Sequence, residues 1–171
     1  MTRLADLLDA INRRCGEAVR WCALAMVLLQ LVVVVLRYVF GVSFVWLNEG
    51  VLYLHATLFM LGAGYTLLVD GHVRVDIFYA RAAPRARALI DLFGHLLLLA
   101  PSMLLLMWWS WPSVRSASRV LEGPISVGGI PASFLLKSLI PAFCALLLLQ
   151  ALAHVLRLIV RLRAGGADDA A

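Results

Sequence analysis

Charge is scarce in this sequence. Asp, Glu, Lys and Arg make up 15% of its 171 residues, well below the roughly one quarter usual in soluble domains, which excludes an ordinary water-facing surface. No stretch has the Gly/Ser/Pro-rich composition of a linker, so the chain reads as a single membrane domain, 1–171, with no soluble catalytic or ligand-capturing domain beside it. Cys15, Cys22 and Cys144 are odd in number and lack CxxC spacing, which argues against a disulfide framework and makes them packing residues. There is no GxSxG, HExxH or P-loop string, so no hydrolase, metalloprotease or nucleotide chemistry is legible, and no cofactor is expected. No small-x-small cleavage site follows the first apolar run, which therefore reads as a retained helix rather than a leader. Nor is there an internal repeat of the kind on which inverted-repeat transporters are built.

What fills the sequence is apolar. Hydrophobic residues make up 63%, and they gather in four stretches, Trp21–Phe40, Trp46–Val69, Leu89–Trp111 and Ile130–Ile159. Each is long enough to cross a hydrocarbon core that needs about 20 helical residues. The fold class that follows is an all-α integral membrane protein with spans at about 21–40, 46–69, 89–111 and 133–159, plus short interfacial helices. The formal charge of +5 points to topology rather than to nucleic acid, because the basic residues form no single stripe. Arg3, Arg13, Arg14 and Arg20 precede the first span, Arg74, Arg81, Arg85 and Arg87 separate the second from the third, and Arg157, Arg161 and Arg163 close the chain. The other two connections carry only Arg37, Arg115, Arg119 and Lys137. By the positive-inside rule both termini are cytoplasmic, and 160–171 is a cytoplasmic tail.

Between the spans, smaller signals recur. Leu4, Leu7, Leu8 and Ile11 at helical spacing, with Arg3, Asp6, Asp9 and Arg13 opposite, predict a helix over 1–19 lying in the membrane interface. The short connection at Gly41-Val42-Ser43 makes the first two spans an antiparallel hairpin, bringing Arg37 and Glu49 to a similar depth as an ion pair, or as two side chains that snorkel separately. Helix two is expected to end at Asp70-Gly71 with the glycine left-handed and Asp70 beside a cation such as His72 or Arg74. Asp76 is placed to N-cap a short helix at Ile77-Phe78-Tyr79, and Pro84 to open the helix entering span three. Trp108, Trp109 and Trp111 resemble the aromatic belt at a membrane boundary, followed by a basic tail that continues as helix. Glu122 to Pro131 reads as a turn-rich loop.

Ionisable residues are few at mid-membrane. His55 is the deepest, with Thr57, Gly62 and Gly64 near it suggesting close packing that houses it, or else a proton-transfer role. Of the histidines, only His95 and His154 sit at a common level, which leaves a haem-ligand reading as a rival. A stand-alone homo-oligomeric channel or small exporter is the other alternative, and the apolar midplane gives it little support.

The segment Trp46–Tyr79, WLNEGVLYLHATLFMLGAGYTLLVDGHVRVDIFY, resembles the signature region of the small membrane subunit (DctQ-like small permease) of tripartite ATP-independent periplasmic (TRAP) transporters. That family shows a Trp and one or two acids opening helix two, a small-residue patch such as Leu61-Gly62-Ala63, and the string Gly-His-x-Arg-x-Asp, here Gly71 to Asp76. Asn48 departs from the pattern where many relatives carry a second acid beside Glu49. The resemblance implies an accessory subunit of an inner-membrane symporter, embedded among membrane lipids. Such a subunit scaffolds a large permease that holds substrate and sodium sites, and helps dock a periplasmic substrate-binding protein carrying an organic anion. On that reading Arg115 and Arg119 are docking contacts or headgroup anchors, His72, Arg74 and Asp76 anchor the inner face, and Arg37 and Glu49 belong to the outer hairpin.

Overall fold

The protein is described by a computed structural model covering residues 2–72, 79 and 82–168. Its apolar runs are helical because hydrocarbon offers no partner to a backbone N–H or C=O, and a helix satisfies these groups within itself. In chain order the elements are α1 (Thr2–Val39), α2 (Val45–Leu68), α3 (Pro84–Phe93), a π-helical turn (Gly94–Leu99) running directly into α4 (Ala100–Arg119), and α5 (Ser133–Asp168). With α3, the π turn and α4 forming one rod, four helices are long and apolar enough to cross a membrane. The all-α, four-span architecture read from the sequence is the one found.

The π turn has a local cause. Pro101 sits in the first turn of α4 and brings no N–H, while its ring crowds the carbonyl four residues back. The helix widens just before it, and the Ala100 N–H donates to the carbonyl of His95. Pro84 stands at the first turn of α3, as expected. At the far end α4 runs past the tryptophans and through Pro112 to Arg119.

Residues 2–19 differ from the separate interfacial helix expected. They are the first half of α1, with no break before Val39, and Leu4, Leu7 and Ile11 are turned outward. Ala5 and Leu8 are buried with Ala153 of α5. The polar residues Asp6, Asp9 and Asn12 find partners on α5, so in this segment Asp9 and Asn12 turn toward protein together with Leu8, while Leu4, Leu7 and Ile11 face out. The helix expected after Asp76 begins outside the described residues.

The end of α2 also differs in detail. Asp70, not Gly71, takes the left-handed conformation, with φ of 57°. Gly71 N–H donates to Thr66 O at 2.8 Å and Asp70 N–H to Leu67 O at 3.2 Å, the paired bonds of a Schellman closure. A short polar side chain tolerates that backbone region better than most.

Helices α1, α2 and α5 pack against one another, whereas the third rod packs chiefly against α5. None of the apolar window of that rod is buried. Since the start of α1 meets the later part of α5, both ends of the chain lie at one end of the bundle. We call it the termini end, and the opposite one, carrying residues 40–44 and 120–132, the loop end.

Candidate functional site

Polar side chains concentrate at the two ends, and each end has its own geometry. At the loop end the central residue is Glu49, in the second turn of α2 and only 7% exposed. Its carboxylate accepts the Ser126 N–H at 3.1 Å and the Ile130 N–H at 2.6 Å. Ionised acceptors make short, strong bonds to backbone amides, and two of them offset much of the cost of burying the charge. Gly128 at φ of 80° turns the loop, and a Cβ on Gly129 would lie 2.2 Å from a Glu49 oxygen, so only glycine permits this approach.

The expected Arg37–Glu49 ion pair is therefore absent. Arg37 is exposed in the last turn of α1, where its charge suits the helix dipole, while Glu49 is already satisfied by the loop. Asn48 is spent locally, its amide donating to Phe44 O at 2.9 Å. Lys137 bonds Glu122 at 2.5 Å across the base of the loop. The loop so held presents Ile125 and a Val127 that is 99% exposed. Arg115 and Arg119 project from the last turns of α4 and are exposed; the structure does not bring them together with Arg37 or Glu49 in any hydrogen bond or ion pair.

At the termini end the contacts are chiefly between side chains. Asn12, fully buried, donates to Gln150 Oε1 at 2.9 Å and to Leu146 O at 3.3 Å. Gln150 donates in turn to Asp9 at 3.0 Å. Arg157 completes the run by donating to both Asp9 and Asp6. The spacing of Asp6, Asp9 and Asn12 along α1 matches that of Gln150 and Arg157 along α5, so the two helices zip in register. Gly64 of α2 closes the third side, because a Cβ there would fall 2.1 Å from Asn12 Oδ1.

Beside this run a cleft of about 280 Å³ opens between the third rod and α5, lined by Asp70, Tyr79, Asp91, His95, His154 and Arg157. Tyr79 donates to Asp91 at 2.7 Å, and the Arg87 guanidinium lies over the Tyr79 ring at 5.6 Å. His95 and His154 do meet, with ring centroids 5.3 Å apart. His95 Nδ1 lies 2.6 Å from Asp91 O, which makes that nitrogen the donor. Among the described residues no group of three or more His, Cys, Asp or Glu is arranged to hold a metal. Asp70 shares the cleft with Arg157 and His154, His72 is exposed beyond the end of α2, and Arg74 and Asp76 lie outside the described residues. The three cysteines are free, Cys144 is fully buried, and Cys15 Sγ approaches Leu61 O at 3.7 Å.

His55 is not housed by the bundle. It is exposed on α2 and stacked on Phe59 at 6.1 Å. Sequence reasoning also missed Asn12, Gln150 and the amide partners of Glu49. The paired glycines at 128–129 were the one available sign of a close approach there.

Residues 19–161 match the family model described as tripartite ATP-independent periplasmic transporters, DctQ component. Over 89 residues, 51% of this chain, the sequence is 34% identical to a protein of Vibrio cholerae serotype O1 named C4-dicarboxylate TRAP transporter small permease protein DctQ. The matched stretch spans 38% of that relative's length.

Proposed function

The chain belongs to the DctQ family of tripartite ATP-independent periplasmic transporter components, small permease subunits of the bacterial inner membrane, and from that premise we propose how it serves such a transporter. It scaffolds a large permease subunit, and its loop end, facing the periplasm, helps to seat a substrate-binding protein during ion-coupled uptake of an organic anion. The termini end is cytoplasmic, in keeping with the eleven Arg that the sequence carries before the first span, between the second and third, and after the fourth. The family is one of transporters rather than enzymes.

The observation that carries this reading is where the polar groups are. They concentrate at the two ends, and among the described residues the bundle between holds no cluster of ionisable side chains of the kind that binds substrate and coupling ions at a transporter midplane. A permeation path in another chain, supported by this one, fits that arrangement. The clamped loop at Glu49 gives a rigid periplasmic surface, and Arg115 and Arg119 beside it supply charge of the sort that steers and orients an approaching protein. His72, with Arg74 and Asp76, anchors the cytoplasmic face. The relative's name ascribes C4-dicarboxylates to that protein, and small carboxylates are the first solutes to test here.

Mild-detergent purification of the tagged chain from its native membrane, followed by mass spectrometry, tests the reading. Stoichiometric recovery of a much larger multi-span permease is expected; a clean homo-oligomer would overturn it. Arg115→Gln with Arg119→Gln in the purified complex is expected to slow association of the binding protein and to flatten its salt dependence.

A further inference from the structure

Two polar side chains stand out from the apolar surface of the spans. Gln30 on α1 and His55 on α2 are both exposed, and among the described residues neither has a hydrogen-bond partner; the His55 ring stacks on Phe59. Gln30 lies nine residues before the end of α1 and His55 ten after the start of α2. At about 1.5 Å per residue both are about 14 Å from the loop end, well inside a hydrocarbon core about 30 Å thick. They therefore share one depth on the two arms of one hairpin.

Hydroxyls in the spans behave differently. Thr57, Thr66, Ser102, Ser110 and Ser138 each donate to a carbonyl of their own helix one turn back, and so need nothing from outside. Neither Gln30 nor His55 makes such a bond, unlike His95, which bonds Asp91 O one turn back, and a polar group left in lipid without a partner carries a free-energy cost. Among the described residues no other exposed amide or imidazole lies at this depth. The α4 surface offers a contrast, since Leu104, Leu105 and Leu106 are exposed there with purely hydrocarbon side chains, which suits acyl chains.

We propose that the α1–α2 hairpin, at the level of Gln30 and His55, is the surface on which the large permease subunit packs, through a membrane helix that presents polar hydrogen-bonding groups at the same depth, while α4 faces lipid. The proposal rests on the small-subunit reading above and adds which face is used. Side chains of this type bind across membrane helices where the partner supplies the complementary donor or acceptor.

Photoreactive residues in place of Val27 and Leu52, each one turn from a polar anchor, and of Leu105 on α4 test it in the full chain co-expressed with the large permease. Crosslinks to the large permease are expected from positions 27 and 52 and not from 105. The Gln30→Leu, His55→Leu double variant, which places an apolar side chain on an exposed face and leaves the bundle interior untouched, is expected to co-purify about tenfold less large permease, with Leu105→Ala unchanged. Crosslinking from 105 alone, or wild-type recovery with the double variant, would overturn the assigned face and leave the small-subunit reading standing. Crosslinks from 27 and 52 to a second copy of this chain would overturn it in favour of a homo-oligomer. Failure of the unaltered chain to recover any large permease would overturn both.

Discussion

At the termini end, side chains from α1 and α5 hold one another, Asp6 and Asp9 to Arg157, Asp9 to Gln150, Gln150 to Asn12. At the loop end a single carboxylate holds backbone. The first arrangement fixes how helices sit against each other; the second fixes a loop on a bundle already formed. Damage at the termini end should therefore loosen the whole bundle, and damage at the loop end should free a surface while the helices persist.

The strongest way to break this contrast is at Gly64. A side chain there meets Asn12 Oδ1 and Cγ and the Cβ of Leu146 together, so α1, α2 and α5 must all part. Gly64→Val is expected to cost about 3 kcal/mol and to lower the midpoint of thermal unfolding in detergent by several degrees. An unchanged melt would mean that the three helices are not held at this point. Glu49→Ala comes next. It strands the Ser126 and Ile130 amides at a loss of about 2 kcal/mol, yet the loss is expected to be local, read as rapid hydrogen exchange at those amides and proteolysis within 120–132 while the helical melt holds. Gly129→Ala should reproduce it by displacing the carboxylate, whereas a global loss of helix in either variant would erase the distinction between the ends.

The sequence carried the helices well and their partners poorly, for a physical reason. Lipid forces an apolar run of about 20 residues into a helix whatever its neighbours, so Trp46–Val69 anticipated Val45–Leu68 closely. Nothing of that kind marks where a polar group will point. Glu49 was matched to Arg37 by charge, but backbone amides 77 and 81 residues away satisfied it, and an amide donor has no letter in the sequence. Spacing alone sets the leucines of this segment against a membrane surface and its charges opposite, but beside α5 it is Leu8, Asp9 and Asn12 that turn inward while Leu4, Leu7 and Ile11 turn out. The π turn was foreshadowed only by Pro101, whose effect on the preceding turn depends on the helix continuing through it.

A smaller effect sharpens the contrast within the termini end itself. Asp9→Asn keeps an acceptor for Gln150 but removes one of two charges from Arg157, which is one-third exposed and so partly screened. A loss of about 1 kcal/mol is expected, and it should shrink as salt rises. Asn12→Leu, by comparison, removes no charge, and its effect should be insensitive to salt. If both variants respond to salt alike, the run acts as one electrostatic unit rather than as a hydrogen-bonded amide pair with an ion pair at its open end.

The smallest expected effect belongs to the ion pair of the loop end. Lys137 and Glu122 are each more than a third exposed, and pairs of that kind contribute about 0.5 kcal/mol or less. Lys137→Met is therefore expected to leave both the helical melt and the exchange protection at Ser126 and Ile130 within error of the unaltered chain. The comparison is informative because the ion pair and the Glu49 clamp bracket the same loop, at 122 and at 126–130, and differ mainly in burial. If Lys137→Met freed the loop as fully as Glu49→Ala, the loop would be held by charge at its rim, and the buried carboxylate would be a passenger. If only Glu49→Ala frees it, the surface offered at the loop end is set from inside the bundle, by a residue that never reaches that surface.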